Sequence, residues 1–162
     1  MRLRDAPTTE LSLEVEASPE SIWEYVTDIE LAARFSEEFQ GAEWIDGPAR
    51  PGATFRGRSR HPRIGEWETT STIIACEPGR TFAWAVGDTS SPAAVWTFII
   101  EQSEEASVLT YRMQLGPGPS GLRVAIERFP DREAEIIQRR IEEQLVQMQR
   151  VLDGIKALAE AG

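Results

Sequence analysis

Ile137, Ile141, Leu145, Met148, Leu152, Ile155 and Ala159 recur at steps of four and three, so a helix built from this stretch carries one apolar stripe over several turns. Its other face is charged, and Glu135 and Arg139 stand at the i,i+4 spacing of an ion pair. The pattern begins after Phe129-Pro130. A helix of this kind must lay its stripe against a second apolar surface, so whatever the rest of the chain folds into has to supply one.

That surface is a sheet. Leu11, Leu13 and Val15 alternate with Ser12, Glu14 and Glu16, the period of a strand with one buried face. Ser18-Pro19 then supplies an N-cap and a first helical residue, which predicts a short helix from Pro19 to about Ile29 that buries Ile22, Val26 and Ile29. A second short helix is expected around Leu31 to Phe39. From Ala42 to Leu115, runs rich in Val, Ile, Thr, Phe and Trp are punctuated by Gly47-Pro48, Pro51-Gly52, Pro78-Gly79 and Gly87-Asp88. They read as six antiparallel strands centred near Trp44, Arg58, Thr70, Trp84, Phe98 and Tyr111, or seven with the first. The expected fold class is α+β, a curved seven-stranded antiparallel sheet wrapped around the long C-terminal helix. A bent sheet cannot touch a straight helix along its whole length, so a cavity is expected between them.

A chain of 162 residues suits one domain, taken here as 1–162. With 27 acidic against 17 basic residues the formal charge is −10, which repels phosphate backbones and argues against nucleic acid as a partner. Cys76 is the single cysteine and His61 the single histidine, so neither a disulfide nor a Cys-based or HExxH zinc site can be assembled within the chain. The charged opening Met1 to Pro7 and the absence of a long apolar run lead us to expect a cytoplasmic protein without stable membrane insertion.

Several blocks, in this order and spacing, resemble a known superfamily. They are Val15-Glu16-Ala17-Ser18-Pro19-Glu20-Ser21-Ile22-Trp23 with Thr27-Asp28-Ile29, Gly52-Ala53-Thr54-Phe55, Trp67, Cys76-Glu77-Pro78-Gly79-Arg80, and Gly116-Pro117-Gly118-Pro119-Ser120-Gly121-Leu122. The sequence is similar to the SRPBCC superfamily, also called START-like, helix-grip or Bet v 1-like, and within it to the bacterial polyketide cyclase/dehydrase-like branch. The resemblance spans nearly the whole chain and implies no obligatory metal or organic cofactor. Phe35 stands where relatives usually carry a tryptophan after the first helix.

Alternation places Phe55, Gly57, Ser59 and His61 on one strand face and Arg56, Arg58 and Arg60 on the other. The resemblance puts the Phe55 face inward. By the same logic Trp67, Thr69, Ser71 and Ile73 point inward, as do Phe82, Trp84 and Val86. Trp96, Phe98 and Ile100 follow, then Leu109, Tyr111 and Met113. From these, the candidate ligand-binding set is Phe55, Ser59, Trp67, Thr69, Ser71 and Phe82, continued by Trp84, Trp96, Phe98, Tyr111 and Met113. Ile137, Ile141, Leu145 and Met148 of the helix form the opposite wall, with Arg140 and Gln144 near its edge.

Tyr111, His61 and Ser59 are the candidate catalytic groups, His61 because its unperturbed pKa lies near neutrality. Cys76 reads as a small buried hydrophobe, and Arg56, Arg58, Arg60 and Arg63 read as a solvated outer face. The Gly116 to Gly121 loop is either a gate or a plain chain reversal. The partner these features point to is a small hydrophobic molecule, aromatic, polyketide-like or lipid-like, held by a binder or carrier. The alternatives are an aromatase/cyclase or dehydratase acting on such a ligand, and a protein-interaction module.

Overall fold

The computed structural model describes residues 1–162. Seven strands run through one antiparallel sheet: β1 (Thr8–Val15), β2 (Phe39–Asp46), β3 (Thr54–His61), β4 (Gly65–Glu77), β5 (Thr81–Val86), β6 (Ala94–Ser103) and β7 (Ala106–Leu115). Their order across the sheet is β1-β7-β6-β5-β4-β3-β2, so six consecutive strands form a meander and the first closes onto the last. Between β1 and β2 lies α1 (Pro19–Val26); after β7 come α2 (Gly121–Arg128) and the 29-residue α3 (Glu133–Ala161). No helix is long and apolar enough to cross a membrane.

Three irregularities in the ladders, at Phe39/Gly41, Trp44/Asp46 and Ile73/Ala75, bend the sheet, because an extra residue on one strand sharpens its local twist. α3, 29 residues, is about 43 Å long at 1.5 Å per residue. It packs on β1 and, less extensively, on β7, α1 and α2. Its C-terminal end is pinned there: Lys156 Nζ donates to Glu14 O at 2.8 Å, and Glu16 N donates to Glu160 Oε2 at 2.8 Å. Val15, Ile22, Leu109, Ile137 and Leu152 are fully buried on this side of the molecule. Burial of each such side chain stabilises the fold by about 1.5–3 kcal/mol.

The expected first helix forms, with Ser18 Oγ accepting from Ser21 N at 3.2 Å, but it ends at Val26 rather than Ile29. Thr27 Oγ1 bonds back to Trp23 O at 2.8 Å, and Ile29 lies in the following turn. The second expected helix shrinks to one 3-10 turn, Leu31–Arg34, and Phe39 opens β2 instead. Ser36 explains this, since its Oγ accepts from the N–H groups of Glu38 and Phe39 and offers the backbone an alternative to another helical turn.

α2 was not anticipated. It starts within the Gly/Pro-rich loop, where Ser120 Oγ caps Arg123 N at 3.0 Å. The loop itself is anchored, with Gly116 N and Gly118 N donating to Ala93 O and Pro92 O at 2.9 and 3.2 Å. A Cβ at Gly116 or Gly118 would sit 2.2 or 2.3 Å from the carbonyl oxygens of Pro92 or Ser91, so glycine is what allows the two loops to meet backbone to backbone. Glu135 pairs with Arg132 at 3.1 Å rather than with Arg139. Phe35 lies over Gly154 of α3, where a Cβ would fall 2.5 Å from its ring.

Leu145 is only half-buried, whereas Leu152 is fully enclosed. Leu152→Ala is therefore expected to cost about 2 to 5 kcal/mol in denaturant melts, and Leu145→Ala no more than about half of that. Equal losses would place Leu145 in the core.

Candidate ligand cavity

Because α3 sits over β1 and β7 while the sheet curls away towards β2, a cavity of about 560 Å³ remains between them. This lies within the range of about 300 to 1,000 Å³ usual for sites that enclose small organic molecules. Strand register builds its sheet wall. Phe82 faces Phe98, Trp84 faces Trp96, Phe98 faces Tyr111 and Trp96 faces Met113 across adjacent strands, all with side chains inward. Trp84 is the hub, with ring centroids 5.7–6.5 Å from Phe82, Phe55, Phe98 and Trp96. Tyr111 stacks on Phe98 at 4.1 Å.

Further along, β3 and β4 contribute Phe55, Ser59, Trp67, Thr69 and Ser71. Gly57 leaves room among them, since a Cβ there would come 3.3 Å from both Thr69 Oγ1 and Phe39 Cε1. All of the strand residues anticipated as ligand contacts thus line the cavity.

The helix wall differs from expectation. Only Met148 of the four anticipated residues lines the cavity; Ile137 and Ile141 are buried away from it, and Leu145 lies beside the core. The cavity receives Arg140, Gln144, Gln147, Met148, Val151 and Ile155, a stripe turned by roughly 60° from the expected one. The physical reason is the seat on β1, which takes the most apolar stripe of α3 for the core and leaves an adjacent, more polar one over the cavity. Sequence reasoning also missed Tyr25, Val26, Ile29 and Leu31, the wall formed by α1 and the turn after it, and Phe39. The signal present was the apolar spacing of residues 22 to 31, read only as core.

At the β2/β3 side, polar groups bridge to α3. Glu38 receives both Arg140 guanidinium nitrogens, Nη1 at 2.8 Å and Nη2 at 2.6 Å, and Gln144 Nε2 at 3.2 Å. Both charged side chains are nearly enclosed, 12 % and 14 % exposed. Alongside, Gln147 Oε1 accepts from Glu37 N at 2.8 Å and from Ser36 Oγ at 3.3 Å.

His61 is not in this cavity. It lines a smaller one of about 260 Å³ behind Glu38, with Arg60 and Glu143. His61 Nε2 lies 3.1 Å from Glu143 Oε2, which Arg63 also engages, while Nδ1 accepts from Arg63 N at 3.1 Å. A histidine fixed at both nitrogens outside the cavity ties hairpin to helix and stands apart from Tyr111 and Ser59, which line the cavity. The arginine set is largely solvated: Arg58 and Arg60 are exposed, Arg56 pairs with Glu43 at 2.9 Å, and the exposed Arg63 also engages Glu143.

The hydroxyls of Ser59, Thr69, Ser71 and Tyr111 take no part in hydrogen bonds within the protein. Since no sealed side-chain polar atom lacks a partner, these oxygens open onto the cavity. Burial pushes the Tyr111 phenol well above its ordinary value, so near neutrality it is a hydrogen-bond donor and not a base. Cys76 is half-buried outside the cavity and burial raises its thiol, the reverse of what an activated nucleophile needs.

A curved antiparallel sheet gripping a C-terminal helix over a cavity defines a helix-grip protein. Residues 6–160 match the family described as polyketide cyclase/dehydrase and lipid transport, and the chain belongs to that family. Its fold is similar to that of a polyketide-cyclase-like protein from Corynebacterium glutamicum, 30% identical over 93% of this chain and 90% of that one, with a TM-score of 0.65. It is also similar to the di-domain aromatase/cyclase StfQ of the steffimycin biosynthetic pathway, at 18% identity and TM-score 0.71, covering 95% of this chain and 50% of that one. Ara h 8.0201 shares the fold at 12% identity and TM-score 0.63, covering 97% and 99% of the two chains. A comparison with curated proteins finds no match.

Burial opposes ionisation of Glu143, but hydrogen bonds from Arg63 and His61 outweigh it and hold the carboxyl below its ordinary value. A carboxyl lowered on folding stabilises the protein above the usual carboxylate range, and that contribution disappears as pH falls through the lowered value. Glu143→Gln is therefore expected to cost up to about 1 kcal/mol at pH 7. The deficit against the parent should shrink below about pH 4, as followed by melts across pH. A deficit independent of pH would show that the carboxylate charge plays no part.

Proposed function

We propose that this protein binds one small hydrophobic molecule, aromatic, polyketide-like or lipid-like, between the sheet and α3, and that it acts as a binder or carrier. The observation that carries the reading is the cavity of about 560 Å³, walled by a connected set of aromatic rings and edged by hydroxyls without protein partners. Flat apolar ligands gain from ring contacts of this kind, and the hydroxyls orient a carbonyl or phenol. Family membership agrees with it. The site residues we assign are Phe55, Ser59, Trp67, Thr69 and Ser71, with Phe82, Trp84, Trp96, Phe98, Tyr111, Met113 and Met148.

Titration with 1,8-dihydroxy-3-(hydroxymethyl)anthraquinone is expected to quench tryptophan fluorescence to a one-to-one end point and to raise the melting temperature, as linkage requires. A weak response that never saturates, with no thermal shift, would overturn the reading.

One observation favours a second reading, an aromatase/cyclase or dehydratase. Tyr111 presents an unpaired, protonated phenol to the cavity, the group that would donate to a substrate carbonyl as negative charge develops on it. Tyr111→Phe removes only that hydroxyl. If a reaction is catalysed, turnover should fall about 10²-fold or more with binding little changed. Unchanged turnover in the variant would remove Tyr111 from the chemistry.

A further inference from the structure

Apart from Arg140, no residue lining the main cavity is basic. Its guanidinium is already held through two nitrogens by Glu38, and the same carboxylate takes a third hydrogen bond from Gln144. Glu143, 3.6 Å from Arg140 on the other side, is matched in turn by Arg63. The remaining acidic lining residues, Asp28 and Glu68, are exposed at the margin, where Asp28 Oδ1 accepts from Glu30 N and Glu68 lies 4.0 Å from Arg56. Charge inside the cavity is therefore paired within the protein, and the groups left to meet a ligand are neutral, the hydroxyls together with the carboxamides of Gln144 and Gln147.

We infer that the cavity selects for uncharged ligands bearing hydroxyl or carbonyl groups, and that the Glu38–Arg140 pair is the element that rejects carboxylates. The inference deepens the binding reading and rests on it. A carboxylate entering this space would lose its hydration and find no free cation, only neutral donors and the Glu38 anion beside the one guanidinium. Desolvation without a partner and like-charge repulsion both oppose it. A neutral hydroxyl or carbonyl meets the Tyr111, Ser59, Thr69 and Ser71 hydroxyls at little such cost. Discrimination comes from an element that repels the wrong ligand as much as from contacts to the right one.

Two anthraquinones that differ at one position test this. The probes are 1,8-dihydroxy-3-(hydroxymethyl)anthraquinone and the corresponding 3-carboxylate, titrated at about pH 6.5, where an ordinary carboxylic acid is ionised. The parent protein is expected to bind the neutral compound at least about tenfold more tightly, a difference of about 1.4 kcal/mol. Glu38→Gln keeps the shape but frees the Arg140 fork for bidentate contact with a carboxylate, and the ratio of affinities should fall by about tenfold or invert. Arg140→Met, which leaves Glu38 without its cation, should widen the ratio. It serves as the second arm if Glu38→Gln fails to give a cooperative melt.

Equal affinities in the parent, or a ratio that moves in neither variant, would overturn the selectivity while leaving the binding reading intact. Failure of the parent to bind either compound would overturn both. A carboxylate preferred by the parent would show that a cation reaches the ligand in spite of Glu38, and would overturn the assignment as well.

Discussion

The Glu38–Arg140 pair is the contact on which the shape of the cavity depends. At β1 the long helix meets the sheet through apolar side chains that bring the two surfaces into direct contact. At the opposite side it reaches the start of β2 through the hydrogen bonds of long polar side chains, Arg140, Gln144 and Gln147. Burying two charges costs several kcal/mol of desolvation, which the bidentate geometry and the third bond from Gln144 offset. The arrangement holds the helix and the far strands apart at a defined spacing.

The core and the cavity wall overlap, since Phe82, Met113, Met148 and Ile155 are almost fully buried and also line the cavity. Val15, Ile22, Leu109, Ile137 and Leu152, all fully buried, do not line the cavity; they form the seam where β1, β7, α1 and α3 meet. The cavity side adds aromatic rings in contact with one another and the hydrogen bonds that join Glu38, Arg140 and Gln144. Close packing at that seam lets the fold keep open space beside the rest of its core.

Most of the architecture was legible in the sequence. Period-two alternation located β1 and sorted the residues of β3 to β7 onto two faces, and the family resemblance indicated which face turns inward. Helix phase was harder. Both Ile141 and Met148 fall on the apolar stripe, and nothing local says which part of that stripe meets a strand and which meets empty space; that is decided by how β1 seats the helix. The polar bridge was invisible for a related reason. Glu38 and Arg140 are 102 residues apart, and although Arg140 was expected near the edge of the helix wall, nothing in the spacing pairs it with Glu38. The placement of His61 depended on the β3–β4 hairpin turning Arg63 towards Glu143, a tertiary contact with no signature in the spacing.

The three methionines offer a direct view of the central claim, that ligand enters the space between sheet and α3. Met113 lines it from β7 and Met148 from α3, whereas Met1 is exposed at the chain start. In a protein labelled at methionine methyls, titration with 1,8-dihydroxy-3-(hydroxymethyl)anthraquinone should shift the Met113 and Met148 resonances together, saturating at one equivalent, and leave Met1 in place. Saturable binding that leaves Met113 and Met148 unmoved would contradict the account, because the ligand would then lie outside the cavity.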